Sequence, residues 1–457
     1  MTRSTTTLQT REAVPLKVAV LGAGTVGGDV LRALVTRADA LAHRAGAKLE
    51  VIGIYVRNTS KKRAAHIDTA LYVEDPHALV KSADIVLELM GGIDPAKTLI
   101  LEALEALEGG ASVVTANKAL LAEAGGELQA AAARHGVDLF YEAAVAGAVP
   151  IIRPLRECLE GDRVERLLGI VNGTTNFILD TMTREGGDFD TTLARAQELG
   201  YAEADPTADV AGLDAAAKAA LLASLAFHTR LSLHDVHVEG IESITAEDIA
   251  AAGRLGRVIR LLSIVERIED DGTERVSARV YPVMIPLSHP LAGVHGAFNA
   301  VFVEAEYAGE LMFYGQGAGG APTASAVLGD LVCAARGLAS KSEGERLALG
   351  ETANEKPLEA MSIDALENAF YLSLTTVDRP GVLARLAGAL SESGISIATI
   401  HQDLALASSE EGGEGTAHIG IVTHRARESA MSEALDHLAR LDDVKSVGAL
   451  VRVEGEK

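Results

Sequence analysis

Aromatic residues and cysteines are scarce in this sequence. Among its 457 residues there is no tryptophan, and phenylalanine and tyrosine occur eight times each. So few rings disfavour a base-stacking surface or an aromatic sugar site. The two cysteines, Cys158 and Cys333, lie far apart and lack CxxC spacing, so neither a zinc site nor a disulfide framework is expected. Two cysteines without a disulfide pattern are most simply interpreted as thiols of a protein from a reducing compartment.

Positive charge and long apolar runs are also in short supply. Lysine and arginine number 41 against 64 aspartates and glutamates, which gives a net charge of −23. Such a chain repels nucleic-acid backbones and anionic membranes, so neither is expected as a partner. No apolar run reaches membrane-spanning length, and no apolar signal region precedes Pro15. A soluble, cytoplasmic protein is expected, with 48% hydrophobic residues to fill several cores.

Short apolar runs alternate with helical segments in the first third of the chain. The pattern predicts strands at 17–21, 48–56, 85–90, 112–115 and 140–142, and a helix at 27–44. Alternating strands and helices are typical of an α/β domain with a parallel sheet, here predicted to be a Rossmann-type doubly wound sheet over residues 16–149. Residues 150–340 form a second, mixed α+β domain, although its helix near 323–338 is a candidate to pack back on the first.

A polar stretch with several glycines, residues 341–367, is interpreted as a linker. Beyond it, the pattern over 368–457 predicts the order β-α-β-β-α-β, a split βαβ arrangement. Three functional units are therefore expected.

The first predicted strand runs directly into the hexapeptide GAGTVG at positions 22–27, which opens a helix. A G-x-G-x-x-G in this context is the fingerprint of a Rossmann-type dinucleotide site. The first glycine permits the tight turn, the second lets the backbone approach the pyrophosphate, and the third lets helix and strand pack closely. The candidate contacts to the cofactor are Gly22, Gly24, Thr25, Val26 and Gly27.

Cofactor preference is read at the end of the second strand, where an acidic residue would hold the ribose of NAD. This strand ends in YVRN at 55–58, with Lys61, Lys62 and Arg63 following. Arg57 is therefore a candidate for the 2′-phosphate of NADP, which is favoured, while NAD remains possible and an exposed basic loop is the alternative.

The densest polar cluster is GYAEADPTADVAGLDAAAK at 200–218. Asp214 and Lys218 are four residues apart and share one helix face. Carboxylates around one lysine suit a substrate with an ammonium and a carbonyl group, with the lysine moving the proton as hydride transfers. On spacing alone, an ordinary surface ion pair is the better interpretation.

Taken together, six segments resemble homoserine dehydrogenase. They are LGAGTVG at 21–27, VVTANK at 113–118, YEAAVAGAVP at 141–150, VNGTTNFIL at 171–179, the segment from Tyr201 to Lys218, and YGQGAGGAPTASAV at 314–327. The last 90 residues, with DRPG at 378–381, resemble an ACT domain. The resemblance implies reversible reduction of L-aspartate 4-semialdehyde to L-homoserine with NAD(P)H, in threonine, methionine and isoleucine biosynthesis.

The resemblance also implies roles for individual residues. Lys218 matches the proton donor and Lys118 a second lysine near nicotinamide and substrate. The other implied positions are Glu203, Asp209, Asp214, Gly173 and Thr174 for substrate; Gly200, Gly317 and Gly319 for cofactor; and Glu142, Val145, Gly147 and Val149 for a monovalent cation, usually sodium, bound mainly by backbone oxygens.

The ACT resemblance implies regulation by an amino acid, with L-threonine as the first candidate. The candidate effector contacts are Asp378, Pro380 and Gly381. The family resemblance further implies a homodimer or homotetramer. Two alternatives stay open at this point: another amino-acid dehydrogenase, and a non-catalytic amino-acid sensor built on a nucleotide-binding scaffold.

Overall fold

The computed structural model describes residues 14–106, 109–339, 358–404 and 415–455. It divides into two compact units. The first takes its described residues from 14–156 and 318–339, and the second from 157–317 and 358–455. Most of the predicted linker therefore lies outside the described residues. Within the described ranges, no helix is long and apolar enough to cross a membrane.

The first unit is built on a six-stranded parallel sheet in the order β3-β2-β1-β4-β5-β6. Its strands are β1 (Leu16–Leu21), β2 (Leu49–Tyr55), β3 (Tyr72–Val73), β4 (Ile85–Glu88), β5 (Ser112–Thr115) and β6 (Leu139–Phe140). The order runs outward in both directions from β1, which confirms the predicted doubly wound α/β fold. A crevice for ligands therefore lies at the carboxyl ends of β1 and β4.

Helices cover this sheet: α1 (Thr25–Thr36), α2 (Ala38–Ala45), α3 (Pro76–Lys81), α4 (Ala96–Leu104), α5 (Lys118–His135) and a helix from much further along the chain, Gly320–Ala339. Val327 and Leu331 of that last helix are fully buried in the same core as Val18 and Val30. The prediction of one helix over 27–44 was wrong, because Arg37 takes a non-helical conformation that ends α1 and begins α2.

The second unit begins with a mixed α+β part. Its strands are β7 (Val164–Ile170), β8 (His237–Val238), β9 (Arg257–Asp270), β10 (Thr273–Pro286), β11 (Phe298–Ala305), β12 (Gly309–Gln316) and β13 (Glu359–Ala360). Its helices are α6 (Gly173–Glu185), α7 (Phe189–Glu198), α8 (Thr207–Val210), α9 (Leu213–Ala226) and α10 (Ala246–Arg254), which makes Gly320–Ala339 α11. The five main strands follow the order β12-β11-β7-β9-β10, all antiparallel.

The remainder of the second unit is the βαββαβ module that the sequence predicts. It comprises β14 (Glu367–Val377), α12 (Val382–Glu392), β15 (Ile397–Leu404), β16 (Thr416–Thr423), β17 (Ala426–Arg427), α13 (Glu428–Ala439) and β18 (Val444–Val453). Its sheet has the order β18-β14-β16-β15. Parallel pairing of β18 with β10, at Val283 with Arg452 and Met284 with Val453, joins the two sheets of this unit into one.

Candidate active site

The glycine-rich turn after β1 has the geometry that a dinucleotide requires. Gly22 has a φ of +103°, and a Cβ there would lie 2.6 Å from the Leu89 carbonyl oxygen. A Cβ on Gly27 would lie 2.2 Å from the oxygen of Gly22, whereas Gly24 has nothing within 4 Å of its Cβ position. The open side at Gly24 and the start of α1 at Thr25 leave backbone amides and the positive helix end facing outward, where a phosphate binds.

Two arginines belong to the loop after β2. Arg57 is exposed at the end of the strand. Arg63 donates from Nε to the carbonyl oxygen of Ala23, at 3.2 Å, and its guanidinium lies 5.8 Å from the ring centre of Tyr72. The loop thus holds the guanidinium of Arg63 against the glycine-rich turn. The sequence shows Arg63 only as part of a basic run, because this contact spans 40 residues.

A buried carboxylate organises the carboxyl ends of β4 and β5. Glu88 accepts a hydrogen bond from the Thr115 hydroxyl at 2.6 Å and another from the Met90 amide at 2.8 Å. The same hydroxyl accepts from the Asn117 amide at 3.0 Å. Burial raises the pKa of Glu88. The network fixes the turn that presents Lys118, which is exposed as the first residue of α5. Sequence reasoning missed Glu88, although a carboxylate ending a buried strand is a visible signal.

In the second unit, Lys218 and Asp214 form a buried ion pair on one face of α9. Lys218 Nζ lies 2.7 Å from Asp214 Oδ2, and it donates to the carbonyl oxygen of Val171 at 2.6 Å. Relative exposure is 7% for the lysine and 8% for the aspartate. The alternative of a solvated surface pair therefore does not hold, since such pairs keep both charges in water.

Asn172 ties this pair to a second carboxylate. Its side-chain nitrogen donates to Asp214 Oδ2 at 2.9 Å and to Asp209 Oδ1 at 2.7 Å. Its side-chain oxygen accepts from the Thr175 amide and caps α6. Thr174 donates to Asp209 at 3.1 Å. The amide dipole of Asn172 thus holds two carboxylates close together without adding charge. Neither its spacing nor its residue type indicates this role in the sequence.

The remaining residues predicted for the substrate differ in their placement. Gly173 packs so closely that a Cβ would lie 2.8 Å from the Ala297 carbonyl oxygen. The Thr174 hydroxyl also donates to the carbonyl oxygen of Tyr201, at 2.6 Å, which draws the loop before α8 towards α6. Glu203, two residues later in that loop, is exposed, and among the described residues its carboxylate has no hydrogen bond or ion pair. The structure therefore brings Asp209, Asp214 and Lys218 together and leaves Glu203 at the rim.

Three further glycines are predicted to contact the cofactor. Gly200 has a φ of +76° at the exposed end of α7, with nothing within 4 Å of its Cβ position. Gly317 lies against the Asn299 side chain, which a Cβ would approach to 2.1 Å, so any larger residue here would displace that side chain. Gly319, just before α11, has a φ of +116°. Gly200 and Gly317 belong to the second unit and Gly319 to the first.

The segment predicted to hold a cation is a buried loop after β6. The Glu142 carboxylate accepts from the backbone amides of Ile151, Ile152 and Arg153 at 2.6, 2.8 and 2.9 Å. Ala146 and Gly147 both have left-handed backbones, with φ of +53° and +58°. For Ala146 this conformation is strained, and strained non-glycine residues cluster at ligand clamps.

Oxygen atoms in the same loop match the chemistry of a hard monovalent cation. Val145 and Val149 are completely buried. Among the described residues, no hydrogen bond engages the carbonyl oxygens of Val145, Gly147 and Val149. Buried carbonyls without partners are unfavourable unless something else satisfies them, so these oxygens fit the group that the sequence analysis expects.

In the C-terminal module, the turn between β14 and α12 carries the predicted effector residues. Asp378, Pro380 and Gly381 are all exposed. The Asp378 amide donates to the Gly415 carbonyl oxygen at 2.7 Å, and Gly381 begins α12 with a φ of +91°. The first amides of α12 therefore face outward beside a carboxylate, an arrangement that suits an amino-acid zwitterion.

Comparison with known proteins follows the same division of the chain. Three family models match: the homoserine dehydrogenase NAD-binding domain over residues 22–142, homoserine dehydrogenase over 150–332, and the ACT domain over 370–443. The homoserine dehydrogenase of Mycobacterium tuberculosis is 52% identical over 445 residues, which cover 96% of this chain and 98% of that protein. The chain belongs to the homoserine dehydrogenase family.

Other relatives of the family agree. The homoserine dehydrogenase of Corynebacterium glutamicum is 50% identical over 440 residues, with 96% of this chain and 95% of that protein covered. A solved homoserine dehydrogenase from Thiobacillus denitrificans has a TM-score of 0.87 at 39% identity and covers 97% of this chain and 99% of its own. A hyperthermophilic archaeal homoserine dehydrogenase mutant, solved in complex with NADPH, has a TM-score of 0.59 at 28% identity, with 70% and 98% covered.

Family membership decides the function. The protein is an oxidoreductase that interconverts L-aspartate 4-semialdehyde and L-homoserine with a nicotinamide dinucleotide, in amino-acid biosynthesis. Both alternatives left open by the sequence, another amino-acid dehydrogenase and a non-catalytic sensor, are thereby set aside.

Proposed function

We propose that Lys218 is the proton donor for aldehyde reduction and that Asp214 and the Val171 carbonyl hold its ammonium in place. The observation that carries this assignment is the buried ion pair at 2.7 Å, with a backbone carbonyl at 2.6 Å from the same nitrogen. A lysine fixed by two short contacts loses little entropy when it meets a substrate oxygen. A nicotinamide dinucleotide, when bound, supplies or accepts the hydride. As alkoxide character develops on the substrate oxygen, Lys218 transfers its proton there.

The carboxylates around Lys218 are proposed to bind the substrate ammonium. Asp209 and Asp214 are held side by side by Asn172, so their combined negative charge faces one point. Glu203 is the exposed third member, and its unpaired carboxylate is suited to complete the site from the loop. Gly173 and Thr174, at the start of α6, offer backbone amides to the substrate carboxylate, where the helix dipole favours an anion. In the first unit, Lys118 is proposed to lie near the nicotinamide and the substrate.

For the cofactor, we propose contacts from Gly22, Gly24, Thr25, Val26 and Gly27 to the pyrophosphate, with further backbone contacts from Gly200, Gly317 and Gly319. NADP is the favoured form. Arg57 and Arg63 both belong to the loop that follows β2, where the 2′-phosphate is recognised, and the strand ends without an acidic residue.

Comparison of kcat/KM for NADP⁺ and NAD⁺ in the wild type and in Arg57→Ala tests this preference. A variant with an unchanged ratio would contradict the role of Arg57.

A monovalent cation, with sodium as the first candidate, is proposed for the loop over residues 142–149. The carbonyl oxygens of Val145, Gly147 and Val149 would hold it, with Glu142 anchoring the loop through its bonds to the amides of 151–153. Such an ion would rigidify the loop and supply no chemistry to the reaction.

The functional division that we propose has three parts. Residues 16–149, together with α11, bind the dinucleotide. The following part, 150–340 apart from that helix, binds substrate and carries the oligomer contacts of a homodimer or homotetramer. Residues 368–457 bind a regulatory amino acid, for which L-threonine is the first candidate, through Asp378, Pro380 and Gly381.

The test of the catalytic assignment is Lys218→Met assayed with homoserine and NADP⁺ by nicotinamide absorbance. We expect kcat to fall about 10²- to 10⁴-fold, the range for loss of one general acid or base. Lys48→Met, at an exposed lysine near the start of β2, is the matched control and should keep full activity. Thermal melting of both variants separates a lost proton donor from a lost fold. Near-complete turnover by folded Lys218→Met would overturn the assignment.

A further inference from the structure

Five arginines line one cavity on the flank of the first unit. The cavity has a volume of about 510 Å³ and is enclosed by α1, α2 and α11. Its arginines are Arg32, Arg37, Arg44, Arg153 and Arg336. Asp29 lines the cavity with them, and the buried Glu142 and Asp330 lie 3.2 and 3.5 Å from Arg153. This concentration of positive charge is opposite in sign to the net charge of the chain, which is −23.

Two of these arginines are fixed in place. Arg153 lies 3.2 Å from Glu142 through Nε, and it donates from Nη1 to the sulfur of Cys333, at 3.2 Å. Its guanidinium fills the space above Gly329, where a Cβ would come within 2.8 Å. Arg336 donates from Nε to the carbonyl oxygen of Arg44 at 2.6 Å, which ties α11 to α2. Side chains held in this way present their remaining N–H groups without a large entropic cost.

The other arginines leave most of the positive charge uncompensated. Arg32 pairs with Asp29 at 2.7 Å. Arg37 and Arg44 are exposed, and within the described ranges neither guanidinium makes a hydrogen bond or an ion pair. Guanidinium groups bind phosphate and carboxylate oxygens through paired N–H donors, and several of them in one concavity raise the local concentration of anions.

From this arrangement we propose that the cavity is a binding site for a small phosphate-bearing anion, separate from the dinucleotide site. The separation follows from position on α1: the dinucleotide turn lies at the start of the helix, whereas the cavity is lined by residues from Asp29 onward, one turn further along. The volume lies within the range of small-molecule sites and exceeds a single phosphate. A compound with two phosphate groups, whether an inorganic oligophosphate or a phosphorylated sugar, matches the five arginines.

Calorimetric titration of the full chain, saturated with NADP⁺ so that the dinucleotide site is filled, tests the proposal. The probes are inorganic pyrophosphate and fructose 1,6-bisphosphate at physiological salt. We expect saturable binding of at least one probe at one site per chain, and the tighter probe separates the inorganic source from the sugar phosphate. Binding should weaken about tenfold or more when Arg37→Gln and Arg44→Gln are combined, because two charge-assisted contacts are lost.

Arg134→Gln is the control, since Arg134 is an exposed arginine of the same unit, on α5 and outside the cavity. It should leave the affinity unchanged. Binding by neither probe, or equal loss in the control, would overturn the proposal.

Cys333 supplies a second, independent readout, because it lines the cavity. With the exposed Cys158 changed to serine, iodoacetamide reports on Cys333 alone. The preferred probe should slow its alkylation, and the combined arginine changes should abolish that protection. If the probe does not change the alkylation rate of Cys333 while all five arginines are present, binding in this cavity is contradicted.

Discussion

Arg452, on the last strand of the ACT module, forms an ion pair with the half-buried Glu239, which lies 213 residues earlier in the mixed α+β part of the chain. The same guanidinium pairs with Glu428 at 2.8 Å and lies 4.6 Å from the ring centre of Tyr281 on β10. Relative exposure of Arg452 is 4%. One side chain therefore binds the ACT module to β10 and to Glu239 in the mixed α+β part of the same unit.

The segment around Glu239 packs against the start of α9. Gly212, which begins α9, packs against Glu239, whose carbonyl oxygen would lie 3.2 Å from a Cβ there. The Ile241 amide donates to the Val210 carbonyl oxygen at 2.9 Å. Residues 238–241 thus support the start of the helix that carries Asp214 and Lys218.

Arg452→Met should therefore destabilise the protein. The substitution leaves the buried carboxylate of Glu428 without its counter-charge, whereas the half-buried Glu239 keeps His237 as a partner. Loss of one partner of a buried pair costs about 3–5 kcal/mol. We expect a lower thermal midpoint and a weaker response of activity to the regulatory amino acid. Arg427→Met, at an exposed arginine of the same module, is the control. Differential scanning calorimetry gives the first quantity and inhibition curves the second, and an unchanged midpoint would contradict the structural role.

Asn172→Ala should reduce kcat more than it raises KM for homoserine. The substitution removes the donor shared by Asp209 and Asp214, so the ammonium of Lys218 is held less well, and we expect a fall of about 10- to 100-fold in kcat. It also removes the cap of α6, which costs about 1 kcal/mol. Asp188→Ala removes the cap of α7 in the same way but touches neither carboxylate. Steady-state kinetics of both variants distinguish a role in the site from a role in helix capping. An equal loss of kcat in Asp188→Ala would mean that Asn172 acts only as a capping residue.

Local spacing explains which parts of this site the sequence predicts. Asp214 and Lys218 share a helix face four residues apart, and the glycine fingerprint is a continuous hexapeptide, so both are visible in the chain. Asn172 reaches its carboxylates across 37 and 42 residues, and Arg63 reaches Ala23 across 40. Such contacts depend on tertiary packing and leave no periodic signal.

The long hairpin of β9 and β10 was largely missed for a related reason. The sequence pattern predicts only a mixed α+β domain over 150–340, without strand bounds, whereas β9 and β10 each have 14 residues. Arginines within them break the apolar alternation that identifies a strand. Arg260 on β9 is nevertheless 1% exposed, and it pairs with Asp180 of α6 at 3.1 Å. A buried pair formed across 80 residues makes a charged position compatible with a sheet interior.

Alanine substitutions at two glycines of the dinucleotide turn should affect folding and cofactor binding differently. Gly24→Ala meets no atom within 4 Å, so it should fold normally and raise KM for NADP⁺, because the methyl group occupies the space for the pyrophosphate. Gly22→Ala combines a φ of +103° with a contact of 2.6 Å to backbone, so it should lower the thermal midpoint as well. Equal thermal midpoints for Gly24→Ala and Gly22→Ala would contradict the different roles of these two glycines.

Asp248 and Asp188 should give the stability of the protein opposite dependences on pH. Asp248 is fully buried and caps α10, accepting from the Thr245 amide at 3.0 Å; burial, reinforced by the nearby Glu247, raises its pKa above the ordinary 3.8. The folded state therefore holds that proton more tightly than the unfolded chain, and the stability it contributes is lost as the pH rises through the folded pKa. Asp248→Asn keeps an oxygen for the cap and cannot ionise. The thermal midpoint of this variant should therefore rise relative to that of the wild type as the pH rises from about 4 to 7.

Asp188 is the matched control, since it caps α7 from an exposed position and bonds from the Thr191 amide lower its pKa. Its contribution to stability is present above the ordinary pKa of 3.8 and is lost as the pH falls below it, so the thermal midpoint of Asp188→Asn should fall relative to the wild type as the pH rises from about 2 to 4. Thermal melting of the two variants and the wild type from about pH 2 to 7 measures both slopes. Parallel curves for Asp248→Asn and the wild type would mean that its carboxylate titrates normally in the folded state.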